Sequence, residues 1–358
     1  MSRFWVDTVR ALQPYVPGEQ PASRDLLKLN TNEHALPPSD LVMAAIHSVG
    51  PEELRRYPEP TSLGLRQAIA EREGLDPDQV FVGNGSDEVL AHLWLAFLSG
   101  RSVATLDITY GFYPVWAELY QSDLHLCPLL GDFSVDVTAL EQVGTAVVLP
   151  NPNAPTGRAL TVHEVEQIVS ADDQRLVIVD EAYFGFGAPT AAPLIARYDN
   201  LIVTRSLSKS HALAGLRVGF ALACADLIEG LNRVKDSFNS YPLDAVAQAA
   251  ATAAILDEAW LEAASQSVKE SRSLLESGLL AMGFEVQPSE ANFIFTRHPQ
   301  LNGERLFESL READIIVRRW SGERIKDWLR ISIGTLTQSE QLLATLRHIV
   351  ASKAGLIR

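Results

Sequence analysis

Cysteine is scarce in this chain. Cys127 and Cys224 are the only two in 358 residues, and they form no Cys-x-x-Cys pair. A disulfide framework is excluded, and free thiols in a reducing compartment are expected. No run of about eighteen apolar residues occurs, so no transmembrane helix is expected. The opening MSRFWVDTVRALQPYVPGEQ lacks the long apolar core of a secretory leader, and a cytoplasmic location is expected. Basic residues are outnumbered: 30 Lys and Arg face 45 Asp and Glu, for a net charge of −15. That balance weighs against nonspecific binding to nucleic acid or anionic membrane, while leaving room for a local basic site. Internal repeats and low-complexity tracts are absent. So is a Gly-x-Gly-x-x-Gly turn, which removes the simplest dinucleotide-binding reading.

What is present is a large apolar fraction, 47%, enough for a sizeable core in one large domain or two ordinary ones. Residues 39–49, SDLVMAAIHSV, predict a helix capped by Ser39 or Asp40, and 61–74, TSLGLRQAIAEREG, one stopped by Gly74. Short apolar strands then alternate with helices: QVFVG, SVATLDI, TAVVLP, RLVIVD, NLIVTRS and RVGFALA. This alternation predicts an α/β fold with a mostly parallel central sheet flanked by helices. After about Ser240 the pattern changes to a long Ala-, Leu- and Glu-rich helix, then to short strands in ANFIFTR, IIVRRW and LRISIGT. We expect a large α/β domain over 39–240 and a smaller α+β domain over 241–358, with residues 1–38 packing against the latter.

Ligands of open α/β sheets collect at the carboxyl ends of the strands, and the polar residues of interest all follow apolar strands. In TRSLSKSHALAGLRVGF, Ser206 and Ser208 offer hydroxyls to a phosphate and Arg217 can return as its charge-assisted partner. Lys209 among them is a phosphate counter-charge, a nucleophilic amine, or simply an exposed loop lysine. Asp180 of VIVDEAYFGF, with Tyr183 close behind, suits a metal, a ribose or a protonated ring nitrogen. VGNGSDE sets Ser86 and Asp87 at the start of a helix. LPNPNAPTG offers Asn151 and Asn153 in a turn. Taken singly, each of these is a common turn former or cap.

Taken in order and at this spacing, PYVPGEQ, KLNTNE, RYPEP, GNGSDE, TYGFY, NPNAPTG, DEAY, SLSKSHALAGLRVG, ANFIF and RIKDWLRISIGT resemble the class I/II aminotransferases, fold-type I enzymes that use pyridoxal 5'-phosphate. Among these the chain is most similar to the histidinol-phosphate aminotransferases, over nearly its whole length. The resemblance implies that Lys209 forms the Schiff base with the cofactor and then shuttles the proton. It implies that Asp180 pairs with the pyridine nitrogen, making the ring an electron sink, and that Tyr183 bonds the phenolic oxygen. Ser86, Asp87, Ser206, Ser208 and Arg217 would hold the phosphate, with Tyr110 stacked on the ring. Tyr57 would reach the phosphate of a partner subunit, which implies a homodimer with shared sites. Arg330, Arg318, Tyr15 and Asn32 would face the substrate.

Two departures from the family pattern bear on the site. NPNAPTG has Ala154 where the family often has a second Asn, so the amide contact to the cofactor must come from Asn153 or be lost, and Asn153 is expected to supply it. NEHALPP replaces the common NENPYGP, which puts His34 and Ala35 near the expected substrate side. The expected reaction moves an amino group between L-histidinol phosphate and 2-oxoglutarate, giving imidazole acetol phosphate and L-glutamate in histidine biosynthesis. An aromatic or broad-specificity aminotransferase is the alternative, and a decarboxylase of a phosphorylated amino acid shares much of the pattern. A cofactor-sensing regulator would need a fused DNA-binding module, for which the N-terminal motifs leave no room.

Overall fold

The computed structural model describes residues 2–21 and 25–352; residues 1, 22–24 and 353–358 of the ranges expected above lie outside them. Thirteen strands occur among the described residues. In chain order they are β1 (Leu27–Lys28), β2 (Val80–Gly83), β3 (Ser102–Leu106), β4 (Asp123–Cys127), β5 (Ala146–Pro150), β6 (Val177–Asp180), β7 (Leu201–Ser206), β8 (Gly219–Leu222), β9 (Glu285–Val286), β10 (Phe293–Arg297), β11 (Ile315–Ile316), β12 (Arg318–Arg319) and β13 (Leu329–Ser332).

Seven of them form the central sheet, in the order β2-β8-β7-β6-β5-β3-β4. Strands β7, β6, β5, β3 and β4 run parallel, while β8 is antiparallel to both of its neighbours. The inner strands are runs of Val, Ile and Leu buried throughout, as a sheet covered by helices on both faces requires. The expected architecture is present. Strand β4 was not anticipated: DLHLC sits at the sheet edge and is mostly exposed, so it carries no buried apolar run to announce it.

Helix termini follow the local chemistry. The Ser39 side chain accepts from the Val42 N–H at the head of helix Asp40–Ser48, and Gly74 ends helix Leu63–Glu73 in the left-handed region, with φ +68°. The long helix expected after Ser240 is in fact two, Ala245–Leu256 and Glu258–Ala281. Asp257 breaks it: its backbone leaves the helix and its side chain accepts from the Trp260 N–H, capping the second helix.

Downstream, β12-β13-β10-β9 form an antiparallel sheet packed against Glu258–Ala281 and Leu336–Ser352. The N-terminal β1 pairs in parallel with β11, Leu27 opposite Ile315. The segment after β1 is thereby carried to the carboxyl ends of β6 and β7. There the two cores meet around one cavity.

Candidate active site

The cavity measures about 640 Å³ and lies where β6 and β7 end, roofed by β12, β13 and the N-terminal segment. Its floor comes from strand register. Asp180, the last residue of β6, stands opposite Thr204 of β7. The Thr204 hydroxyl donates to Asp180 Oδ1 at 3.2 Å, the Ala182 N–H donates to the same oxygen at 3.2 Å, and the Tyr113 hydroxyl donates to Oδ2 at 2.9 Å. Burial nonetheless lifts the Asp180 carboxyl to about 6, with the Tyr113 and Thr204 hydrogen bonds opposing the rise. A carboxylate so situated is short of one cation.

β7 runs straight into the turn Leu207–Ser210, so Lys209 emerges beside Asp180's strand. Its Nζ donates to the Thr31 carbonyl at 2.8 Å. Burial of the amine, and then the nearby charge of Arg330, lower its pKa to about 8. The neutral form that a nucleophile requires is thus reached at lower pH than for an ordinary lysine.

At one end of the cavity Ser206, Ser208, Ser86 and Arg217 converge. Ser86 lies in the first turn of helix Gly85–Leu93, whose free N–H groups favour an anion. Arg217 has left-handed backbone, φ +53°, and its guanidinium lies against Gly85: a Cβ there would fall 2.6 Å from Nη2. A Cβ on Gly219 would fall 2.3 Å from the Ser86 nitrogen. The absence of side chains at these two positions lets strand β8 and the helix start close into a cradle of hydroxyls, N–H groups and a guanidinium. This donor set fits a phosphate monoester. Asp87 spans Arg217 Nη2 and the Tyr110 hydroxyl at 2.9 Å each, fixing both.

The opposite end is cationic. Arg318 and Arg330 are directly opposed in the β12–β13 register; both line the cavity, and both guanidiniums lie against Trp320, at 5.7 and 5.3 Å from its ring centre. Arg330 Nη2 donates to the Asn30 carbonyl at 2.8 Å and Arg318 Nη2 to the Val16 carbonyl at 3.2 Å. Tyr15 stacks on Phe112, with centroids 4.5 Å apart, and closes the rim.

A model of the class I and II aminotransferase family matches residues 24–346. Over 355 residues the chain is 51% identical to a histidinol-phosphate aminotransferase of Acetobacter pasteurianus, covering 99% of this chain and all of that protein. It is likewise 51% identical over 356 residues to histidinol-phosphate aminotransferase 1 of Bordetella parapertussis, covering 98% of this chain and all of the relative. The chain belongs to the histidinol-phosphate aminotransferases of class I and II. A solved Sinorhizobium meliloti histidinol-phosphate aminotransferase, in complex with pyridoxal-5'-phosphate, shares the fold at 23% identity, with a TM-score of 0.87 over 98% of this chain and 99% of that one.

Of the residues expected at this aminotransferase site, thirteen line the one cavity: Tyr15, Asn32, Ser86, Asp87, Tyr110, Asp180, Tyr183, Ser206, Ser208, Lys209, Arg217, Arg318 and Arg330. Two do not. Asn153 is buried off the wall, its Nδ2 donating to the Ile108 carbonyl at 3.0 Å and to Thr156 Oγ1 at 3.1 Å, and Ala154 lines the cavity instead. The turn closes on itself through Gly157 N–H to the Asn153 carbonyl, which commits that side chain to the loop before Tyr110. Tyr57 stands apart, 82% exposed and stacked on Tyr241. His34 also lies off the wall, against Phe186 and Trp260. Sequence reasoning missed Tyr113 and Thr204, which hold Asp180. Thr204 was within reach, because parallel strands that end together put it beside Asp180.

Proposed function

We propose that this aminotransferase exchanges the amino group between L-histidinol phosphate and 2-oxoglutarate, yielding imidazole acetol phosphate and L-glutamate in histidine biosynthesis. Bound pyridoxal 5'-phosphate supplies an electron sink for the bonding pair released at the substrate's α-carbon. The donor set suits that cofactor: the cradle at Ser86, Ser206, Ser208 and Arg217 would hold its phosphate, and Asp180 would face its ring nitrogen. Tyr110 and Ala182, which line the same cavity, would lie against its ring. Lys209 would bond the cofactor covalently, then hold and return the proton at the α-carbon.

The observation that carries the substrate is the opposed pair Arg318 and Arg330. Like charges directly across a strand pair repel, so two guanidiniums kept there and aimed into a cavity favour a doubly charged anion between them. The phosphate of histidinol phosphate is such an anion, and a glutamate carboxylate, with one charge, can share the same two guanidiniums. The 51% identity to histidinol-phosphate aminotransferases supports the same reading.

Residues 39–240 would then be the cofactor domain and 241–358, joined by 1–38, the smaller one; the β1–β11 pairing supports the joining of 1–38, while helix Ala245–Leu256 packs on helices Asp40–Ser48 and Leu63–Glu73 and so goes with the cofactor domain. Tyr57, exposed on this chain, would complete the site of a second copy, so the working form would be a homodimer. The cytoplasm, where Cys127 and Cys224 stay reduced, is the proposed compartment.

Two measurements test the reading. Borohydride treatment should fix the cofactor to Lys209, found by peptide mapping. Single-turnover kinetics should rank histidinol phosphate above phenylalanine and tyrosine as amino donor. A preference for the aromatic amino acids would replace the proposed substrate with the aromatic one.

A further inference from the structure

Asn32 is buried and adopts left-handed backbone, φ +55°, which an L-residue takes only against steric cost. Three contacts impose it. The Asn32 N–H donates to Ser332 Oγ at 2.9 Å, the Ser332 hydroxyl donates back to Asn32 Oδ1 at 2.9 Å, and Asn292 Nδ2 donates to the Asn32 carbonyl at 2.9 Å. Ser332 and Asn292 are themselves buried. With Oδ1 engaged by the serine, the amide presents its N–H to the other side, where it donates to the Tyr183 hydroxyl oxygen at 2.9 Å.

The direction of these bonds matters. Tyr183 receives a hydrogen bond from Asn32, so its own proton remains free. Its ring lines the cavity beside Ala154, the position at which the family often carries an amide. The asparagine next to it in the chain, Asn153, has its amide nitrogen engaged by the Ile108 carbonyl. The cavity therefore lacks an amide from the 151–157 turn and gains a phenol whose orientation is dictated from behind.

We propose that Asn32, oriented by Ser332 and Asn292, is a positioning residue that makes Tyr183 an obligate hydrogen-bond donor into the cavity, in place of the amide that Ala154 lacks. The proposal rests on the reading of the cavity as a pyridoxal-phosphate site. A phenol that accepts from an amide donates more strongly in turn. With the cofactor bound, donation from Tyr183 to its ring oxygen would stabilise negative charge there. The adjoining bond to Lys209 would then lose its proton more readily, and the colour change would fall at lower pH. Asp180, Arg330 and Tyr15 face Tyr183, while Glu33, Asp87 and Arg217 face Lys209. All six are retained in every variant below, so differences between variants read the relay.

The test is a spectrophotometric pH titration of the cofactor-loaded enzyme. Asn32→Ala should raise the midpoint by about half a unit to one unit, the size of one net hydrogen bond. Tyr183→Phe should raise it at least as far, and the double variant no further than Tyr183→Phe alone. Ser332→Ala, checked for unchanged circular dichroism and retained cofactor, should move it the same way by less; this variant decides the matter if Asn32→Ala does not fold. An unmoved midpoint in the folded variants would overturn the proposal. So would an Asn32→Ala shift that persists in full on the Tyr183→Phe background, since Asn32 would then act without Tyr183. A wild-type protein that retains no titrating cofactor would overturn the functional reading itself, and the proposal with it.

Discussion

Lys209 donates from Nζ to the carbonyl oxygen of Thr31 at 2.8 Å, across 178 positions of sequence. This proposed reactive amine is held by the N-terminal segment, not by its own loop. Its pKa is lowered to about 8 by burial and by Arg330. Only the neutral amine attacks a carbonyl, so cofactor capture by the cofactor-free protein should accelerate with pH and level off above about 8. Stopped-flow absorbance measures this directly. A midpoint near the ordinary lysine value of about 10.4 would show that the buried environment does not act on the amine. Lys209→Ala should retain the phosphate-bound cofactor without covalent attachment and lose turnover.

Asp180 couples stability to pH. Its carboxyl is raised from 3.8 to about 6 by burial. A group raised in the folded state contributes stability below its unfolded pKa and loses it as pH climbs through the folded one. The cofactor-free protein should therefore weaken between about pH 4 and 6. Cofactor-free Asp180→Asn should be more stable than wild type at pH 7.5, by about 1–3 kcal/mol, and the gap should close toward pH 4. With cofactor bound, the carboxylate gains its cation and the order should reverse. Turnover of Asp180→Asn should fall by about two to three orders of magnitude, the scale for losing a preorganised electrostatic partner. Thermal melts across pH, with and without cofactor, supply the comparison.

The two cavity arginines should separate kinetically. Arg330 is the more deeply anchored, at the Asn30 carbonyl, so Arg330→Ala should weaken both half-reactions by roughly ten- to a hundredfold, the cost of a charge-assisted bond. Arg318 is tied to the N-terminal segment at Val16. Arg318→Ala should penalise the histidinol-phosphate half-reaction more than the glutamate one. Equal losses in single-turnover experiments would argue against a division of labour.

Tyr57 tests assembly. It lies on the surface with Tyr241, 4.6 Å between ring centres. If it serves a second copy, mixing Lys209→Ala chains with Tyr57→Phe chains gives dimers in which one site carries both defects and the other neither. Activity should then rise above that of either variant alone. No recovery after verified subunit exchange would remove Tyr57 from the shared site.

The candidate site was legible where chemistry sits at the ends of apolar strands. Asp180 closes VIVD, Ser206 closes LIVTRS, and Lys209 follows at once, so a strand-end rule finds all three. The sheet was legible for the same reason, except at β4, where exposure left no apolar run. Partnerships across the chain were not. Tyr113 reads as one more aromatic in a helix, and nothing local says that its hydroxyl meets Asp180. Asn153 and Ala154 are adjacent letters, and which one faces the cavity depends on hydrogen bonds to Ile108 and Arg158 that no local pattern encodes. Asp257 looked like a helical position in an Ala-rich run because its capping bond is a tertiary choice.

The pairing of β1 with β11 also sets an order in time. Synthesis delivers Val16, Leu27, Asn30 and Asn32 first, yet their partners Arg318, Ile315, Arg330 and Ser332 emerge last. All seven strands of the central sheet are complete by Leu222, although the core that covers them draws on helix Ala245–Leu256 and later residues. The proposed substrate wall of Arg318 and Arg330, and the N-terminal segment that holds Lys209, are completed only once β11 to β13 have emerged. Strand β1 waits for a complement more than two hundred residues downstream, and long-range pairings of this kind are slow to form. The strands that carry the proposed phosphate cradle are thus synthesised well before the segment that completes the proposed substrate end.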